Sequence, residues 1–273
     1  MIPLRIDDPA DPRIAGFVSI KERDLTGRQG RFIAEGTVVL RMLAAAHSAG
    51  RGIEAEVILL LENRVDGVSG ILAEFPADVP VYVASAPLFD AIAGFNMHRG
   101  VLALGRRQSA PSLDTLVSSL PQKSLVLAAC GISNHDNMGS MFRNAAAFGV
   151  DAVLMDETSC DPMYRKAIRV SVGSALSVPF AREGSVTALI GRLQAEGFAI
   201  WGLSPRGKTD LHDIPPSPRT VLLAGTEGEG LPETIMASIR TARIRQRPGL
   251  DSLNVATATG IALHQVAMIN GFI

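Results

Sequence analysis

Residues Ser124-Leu125-Val126-Leu127-Ala128-Ala129-Cys130, followed by Gly131-Ile132-Ser133-Asn134-His135-Asp136-Asn137-Met138-Gly139-Ser140-Met141-Phe142-Arg143, decide the fold class. A short unbroken apolar run ending at a glycine is the pattern of a strand buried on both faces. The polar stretch after it opens a helix, expected over Met138–Phe148, with Asn137 at its start where an asparagine can cap or face a ligand. The same alternation continues downstream. Further strands are expected at Ala152–Met155, Ala199–Leu203, Val221–Ala224 and Ala242–Ile244, and helices at Pro162–Val170, Val186–Glu196, Glu233–Ile239 and Leu253–Ile269. Such alternation predicts an α/β fold with a mostly parallel sheet covered on both faces. Ligands of such sheets sit beyond the C-terminal ends of the strands.

Upstream, residues 1–107 read as a smaller mixed α/β domain. A helix is expected over Arg31–Ser48, strands at Ala55–Leu61, Val79–Ala84 and Val101–Leu104, and a short helix at Pro87–Gly94. Polar, proline-containing residues 108–122 are expected to be a linker to the second domain, 123–273.

The 273-residue chain is 47% hydrophobic and 19% charged, a globular composition. Its apolar runs are far shorter than the ~20 residues of a membrane span, and its first residues lack the pattern of a signal peptide. The two cysteines, Cys130 and Cys160, without CxxC spacing, predict reduced, buried thiols in a cytoplasmic protein. Five histidines, none in HxxxH spacing, predict no metal site. The formal net charge of −1 argues against capture of nucleic acid by a global positive field, though not against local patches.

Two further segments carry chemistry. Gly225-Thr226-Glu227-Gly228-Glu229-Gly230 follows an apolar strand but is neither a phosphate-binding P-loop nor a GxGxxG fingerprint. Its two glutamates would repel phosphate, so a cationic or adenosine-bearing cofactor fits better; a flexible turn is the alternative. Downstream, Ser252-Leu253-Asn254-Val255 opens a helix rich in Ala and Gly, which either packs closely on another backbone or is an ordinary C-terminal helix. Asp251 or Ser252 is its expected cap.

In this order the three segments resemble the motifs of the SpoU/TrmH family, within the SPOUT superfamily of RNA methyltransferases. Asn137, Gly139 and Arg143 match the first motif, Gly225–Gly230 the second, and Ser252–Val255 the third, a likeness spanning about residues 124–270. The first half is similar, more weakly, to the family's ribosomal-protein-like substrate-binding domain, through Arg31-Phe32-Ile33-Ala34-Glu35-Gly36 and His98-Arg99-Gly100-Val101-Leu102-Ala103. Two departures stand out. Asn134-His135-Asp136 replaces the usual Asp-Pro before the first motif, and Ile244-Arg245-Gln246 replaces Ile-Pro-Met, which adds charge beside the cofactor loops.

The resemblance implies a trefoil-knotted C-terminal methyltransferase domain and transfer of a methyl group from S-adenosylmethionine to a ribose 2′-hydroxyl of RNA. Ribosomal RNA is favoured over transfer RNA as the substrate. It implies a cofactor held by Gly225, Thr226, Ile244, Leu253 and Asn254, and catalysis by Asn137, Arg143, Glu227, Ser252 and Asn254. Arg143 would contact the phosphate or hydroxyl, since a guanidinium with a pKa above ~12 makes a poor base. Glu227 would orient Arg143 or another group of the site. Family members work as homodimers, so a homodimer is expected.

Charge is uneven along the chain. Residues 240–247 carry four arginines and no acid. Residues 13–41 carry a net +3, and Arg23, Arg28 and Arg31, with Arg143, are the expected RNA-phosphate ligands. Two other functions fit the sequence less well. A catalytically inactive RNA-binding or ribosome-associated protein with this fold would not need Asn137, Arg143, Glu227, Ser252 and Asn254. An enzyme using another adenine nucleotide would be expected to carry a GxGxxG or P-loop.

Overall fold

The computed structural model describes all residues except 1, 19–25, 28, 94–99, 109, 248, 250 and 251. The chain divides into two compact units, Met1–Ser109 with Met163–Ser177, and Ala110–Pro162 with Val178–Ile273.

The first unit is built on a five-stranded sheet of β1 (Leu4–Arg5), β2 (Arg31–Glu35), β3 (Ile53–Leu61), β4 (Val81–Ala84) and β5 (Val101–Arg107), in the order β1-β4-β3-β5-β2. The pairs β1–β4 and β3–β4 are parallel, whereas β5 runs antiparallel to both β3 and β2. Alternate side chains of the sheet enter opposite faces. Ile33, Leu59 and Leu102 pack with Ile14, Phe17 and Phe89 on one side. Helices α1 (Thr37–Ser48), α2 (Val65–Leu72) and α3 (Ala86–Ala93) complete the layers.

The helix expected over Arg31–Ser48 is corrected to a strand followed by a helix. Phe32, Ile33 and Ala34 are all buried in β2, which pairs along β5. Gly36 then turns the chain at φ 95°, a left-handed value that favours glycine, and α1 starts at Thr37. A second correction concerns Met163–Ser177, expected within the second domain but clustering with the first unit. Its helix α6 (Arg165–Val170) places Arg165 and Arg169 each 3.8 Å from the buried carboxylate of Glu35.

Among the described residues the second unit holds a sheet of seven strands, all parallel, in the order β10-β12-β9-β11-β6-β7-β8. They are β6 (Ser124–Ala129), β7 (Ala152–Met155), β8 (Phe180–Arg182), β9 (Ala199–Leu203), β10 (Thr209–Asp210), β11 (Arg219–Ala224) and β12 (Arg240–Arg243). Strands β6 and β11 lie in mid-sheet and are buried along almost their whole length, as unbroken apolar runs require. Val126, Ala128, Val221 and Leu223 form one core with α4 (Leu113–Ser119), α7 (Val186–Ala195) and α8 (Glu233–Ser238). Helices α5 (His135–Ala147) and α9 (Val255–Asn270) pack on each other, and α9 lies against β11.

The expected linker 108–122 is therefore corrected in part. Ser112 caps α4 by accepting the Thr115 N–H at 3.1 Å, and Leu113, Leu116 and Val117 are buried in the core. Their spacing suits one helix face, but the flanking prolines and serines dominate the composition. The other expected strands and helices appear within three residues of their expected bounds. Among the described residues no helix is long and apolar enough to cross a membrane.

Candidate active site

The loops that follow β9, β11 and β12, three neighbouring strands, converge beyond the C-terminal edge of the parallel sheet. They enclose a cavity of about 640 Å³, within the ~300–1,000 Å³ usual for small-molecule sites. Gly225, Thr226 and Glu227 line it from the β11 loop. Ile244, Ser252, Leu253 and Asn254 line it from the segment between β12 and α9. All the expected cofactor residues thus meet in one place.

The β11 loop is held shut by its own backbone. The Thr226 N–H donates to the Gly230 carbonyl at 3.2 Å, and the Gly230 N–H returns a bond to the Thr226 carbonyl at 3.1 Å. Gly228 and Gly230 both have positive φ, 98° and 75°. Gly225 is required for a different reason, since a Cβ there would run into the backbone of Gly230 and Leu231.

At the mouth of the cavity the polar side chains form a relay. Asn137 Nδ2 donates to Glu227 Oε1 at 2.6 Å, and Asn254 Nδ2 donates to Asn137 Oδ1 at 2.9 Å. Asn254 Oδ1 in turn accepts the N–H groups of Ala256 (2.9 Å) and Thr257 (3.2 Å), capping α9. The expected cap at Asp251 or Ser252 is thereby corrected to Asn254; Asp251 itself lies outside the described residues. Asn137 likewise is not the cap of α5. Asn134 holds that place, accepting the Asp136 N–H at 2.8 Å, which puts Asn137 inside the first turn with both ends of its amide engaged in the relay.

Truncating Asn254 to alanine should cost about 1 kcal/mol of stability through the lost cap. Asn254→Ser keeps a capping oxygen but cannot reach Asn137 as the amide does. Denaturant unfolding should rank the serine variant near wild type and the alanine variant below both.

Arg143 stands apart. It is exposed on α5, does not line the cavity, and makes no hydrogen bond or ion pair among the described residues. Of the two partners expected for Glu227, Arg143 or another group of the site, the structure shows the second: Glu227 accepts from Asn137 and, at 3.5 Å, from Ser133. Of the expected RNA ligands, Arg23 and Arg28 lie outside the described residues. Arg31 is on β2, ion-paired with Glu56 at 2.7 Å.

Several supporting residues escaped the sequence. Asn144 donates to the Ala256 carbonyl at 2.8 Å and joins α5 to α9; it lies seven residues after Asn137, on the same helix face, which was the available signal. The buried Asp156 carboxylate fixes the loop after β6 by accepting from the Gly131 N–H at 2.9 Å and the Ser159 hydroxyl at 2.7 Å. Cys130 is buried as expected, whereas Cys160 is only half-buried; burial pushes the Cys130 thiol up to about 11 and the Cys160 thiol up to about 12, so neither is a thiolate at neutral pH. The grouping of Asp210 with His212 and Asp213 has the spacing of metal ligands, but the Asp210 carboxylate is taken by Arg243 and Arg245.

Residues 124–264 match the SpoU rRNA methylase family model. The chain belongs to the SpoU rRNA methylase family. An uncharacterized tRNA/rRNA methyltransferase of Mycobacterium bovis is 34% identical over 270 residues, which cover 94% of this chain and 89% of the relative. The 23S rRNA (guanosine-2′-O-)-methyltransferase RlmB of a Burkholderia species is 28% identical over 191 residues, 69% of this chain and 77% of that one. Among solved structures, an AdoMet-bound rRNA methyltransferase from Sinorhizobium meliloti shares the fold with a TM-score of 0.78 at 23% identity, covering 97% of each chain. The SpoU match falls almost wholly within the second unit, where the cavity and the relay lie.

Proposed function

We propose that this SpoU-family chain transfers a methyl group from S-adenosylmethionine to a ribose 2′-hydroxyl of RNA, ribosomal RNA in preference to transfer RNA. The observation that carries this reading is the cavity at the sheet's C-terminal edge with the Glu227–Asn137–Asn254 relay at its mouth. The cavity's chemistry suits the cofactor. Leu231, Met236 and Ile244 offer an apolar wall for a flat base, and Glu227 and Glu229 place carboxylates where a cation would be stabilised. Gln246 Oε1, on a side chain that lines the cavity, is buried without a hydrogen-bond partner among the described residues. The 2′-O-methyltransferase activity of the Burkholderia relative and the AdoMet bound to the Sinorhizobium neighbour support the same substrate class and cofactor.

When bound, the cofactor supplies an electrophilic methyl group on a positively charged sulfur. The protein's own task is to align a weak nucleophile with it and to stabilise the charge that develops as the hydroxyl loses its proton. Asn137 and Asn254, fixed by each other and by the α9 cap, orient the hydroxyl, and Glu227 fixes Asn137. Ser252 supports the cofactor loop. Arg143, unpaired among the described residues, is available to a phosphate or to the developing alkoxide.

In this reading the first half, 1–107, selects the RNA and 123–273 holds the chemistry as a trefoil knot. The enzyme acts in the cytoplasm without a metal, as a homodimer. Sedimentation should give the mass of two chains; a fully active species of one chain's mass would contradict the dimer. The charge of residues 13–41 is less free than its count suggests, because Arg13 pairs with Asp11 at 2.6 Å and Arg31 with Glu56. RNA affinity should still fall as salt rises, with a modest slope set by few phosphate contacts. A flat response in filter binding would remove the phosphate contacts from the account. Radiolabelled methyl transfer to total RNA, followed by mapping of the modified nucleotide, tests the activity itself.

A further inference from the structure

Gln246 lines the cavity, and Arg245 stands beside it next to the cavity-lining Ile244. Arg243 and Arg245 flank Ile244, a cavity-lining residue. Two like charges so close, one on the last residue of β12 and one in the loop, would push that wall apart if left alone. They are not left alone. Asp210, the last residue of the edge strand β10, lies opposite Arg243 in the parallel ladder. Its buried carboxylate accepts from Arg243 Nε at 2.6 Å through one oxygen and from Arg245 Nε at 2.7 Å through the other. The hydrogen bonds from Arg245 and Arg243 hold the Asp210 carboxyl below its usual range, so the clamp is charged throughout the neutral range. Guanidinium groups suit such a clamp because they are planar and always charged.

Gln246, the next residue, lines the cavity, and its amide oxygen is buried with no hydrogen-bond partner among the described residues. A buried acceptor without a donor is costly, and a bound ligand that brings a donor relieves the cost. Ile244, Leu231 and Met236 make the neighbouring wall apolar, which suits the flat base of a nucleoside better than its sugar or its charged tail. The donor that an adenine carries on its edge is the 6-amino group.

We propose that Gln246 is a specificity-determining residue that accepts a hydrogen bond from the 6-amino group of the bound adenosine, and that Asp210 is the positioning residue that holds it there through Arg243 and Arg245. The proposal rests on the reading that the cavity holds S-adenosylmethionine. It explains how a segment carrying two close arginines keeps a nucleoside-binding shape: an acid from the edge strand supplies the restraint.

The test is calorimetric titration of the full-length protein with S-adenosylhomocysteine and with S-inosylhomocysteine, whose base carries a carbonyl oxygen in place of the 6-amino group. Wild type should bind the adenosine compound about tenfold more tightly. Gln246→Met, which keeps the volume and removes the acceptor, should lose about tenfold on the adenosine compound and bind the two alike. Asp210→Asn should also lose the discrimination, and Asp210→Glu should restore it, a rescue that a general loss of stability would not produce. Discrimination in Gln246→Met equal to that of wild type would overturn the contact, and undiminished discrimination in Asp210→Asn would overturn the positioning role. Failure of wild type to bind either compound would overturn the reading of the cavity itself, and the proposal with it.

Discussion

Replacing Arg143 with alanine should reduce methyl transfer by about 10²–10³-fold, the loss typical of removing a donor aimed at developing charge, with the fold intact. The second half of that expectation follows from the structure. Arg143 is exposed on α5 and has no hydrogen bond or ion pair among the described residues, so its removal breaks nothing visible in the chain. Surface changes of this kind alter stability by about 0.5 kcal/mol or less. A side chain that is structurally idle, placed four residues after Gly139 on the helix that carries Asn137, is well placed to act on a substrate instead. Arg143→Lys should recover little, because a compact ammonium cannot form the planar pair of bonds that a guanidinium offers to phosphate or alkoxide. Turnover assays paired with thermal melting check both parts. Retained turnover in the alanine variant would remove Arg143 from the mechanism.

Gly225→Ala should have the second large effect, by a different route. The added methyl would collide with the backbone of Gly230 and Leu231, the Gly230 carbonyl oxygen lying 2.6 Å from it, and backbone cannot swing aside as a flexible side chain can. Such overpacking costs about 1–3 kcal/mol. The strain is relieved by opening the Thr226–Gly230 pair, and that same loop lines the cavity. Cofactor affinity should therefore drop at least about tenfold, equivalent to ~1.4 kcal/mol, alongside a lowered melting temperature. Gly228→Ala is a useful comparison. Its φ of 98° strains any side chain, but nothing lies within 4 Å of an added Cβ, so its cost is conformational and not a collision.

The second half of the fold was legible because its strands are long apolar runs in a parallel sheet, where sequence pattern and burial coincide. The strands that escaped, β8 and β10, are three and two residues long at the two edges of that sheet, too short for a pattern. Arg31–Ser48 misled because Phe32 and Ile33 continue the apolar spacing of α1, and only the left-handed turn at Gly36 separates strand from helix. Met163–Ser177 misled for another reason. Its grouping with the first unit depends on long-range contacts, such as Gly173 against Met42 and Arg165 and Arg169 near Glu35, which no local pattern encodes.

The site divides in the same way. The glycine loop and the Ser252–Val255 stretch were readable as segments, and their convergence on one cavity follows from β11, β9 and β12 lying side by side. The relay among Glu227, Asn137 and Asn254 spans residues 90 and 117 apart in sequence, so its hydrogen bonds had no local signature. Asp210 was hidden for that reason too, being 33 residues from Arg243 and 35 from Arg245. The net charge of −1, first an argument against nucleic acid, is consistent with an enzyme whose arginines are largely spent on structure: Arg31 on Glu56, Arg243 and Arg245 on Asp210.

Methylation of an RNA ribose is tested by comparing the 2′-O-methylated positions in total RNA from a strain with and without this gene. The strain lacking the gene should lose a 2′-O-methyl group in ribosomal RNA, restored by wild-type protein and not by Arg143→Ala. An unchanged 2′-O-methylation map, with all RNA 2′-hydroxyl methylation intact in the deletion strain, would contradict it.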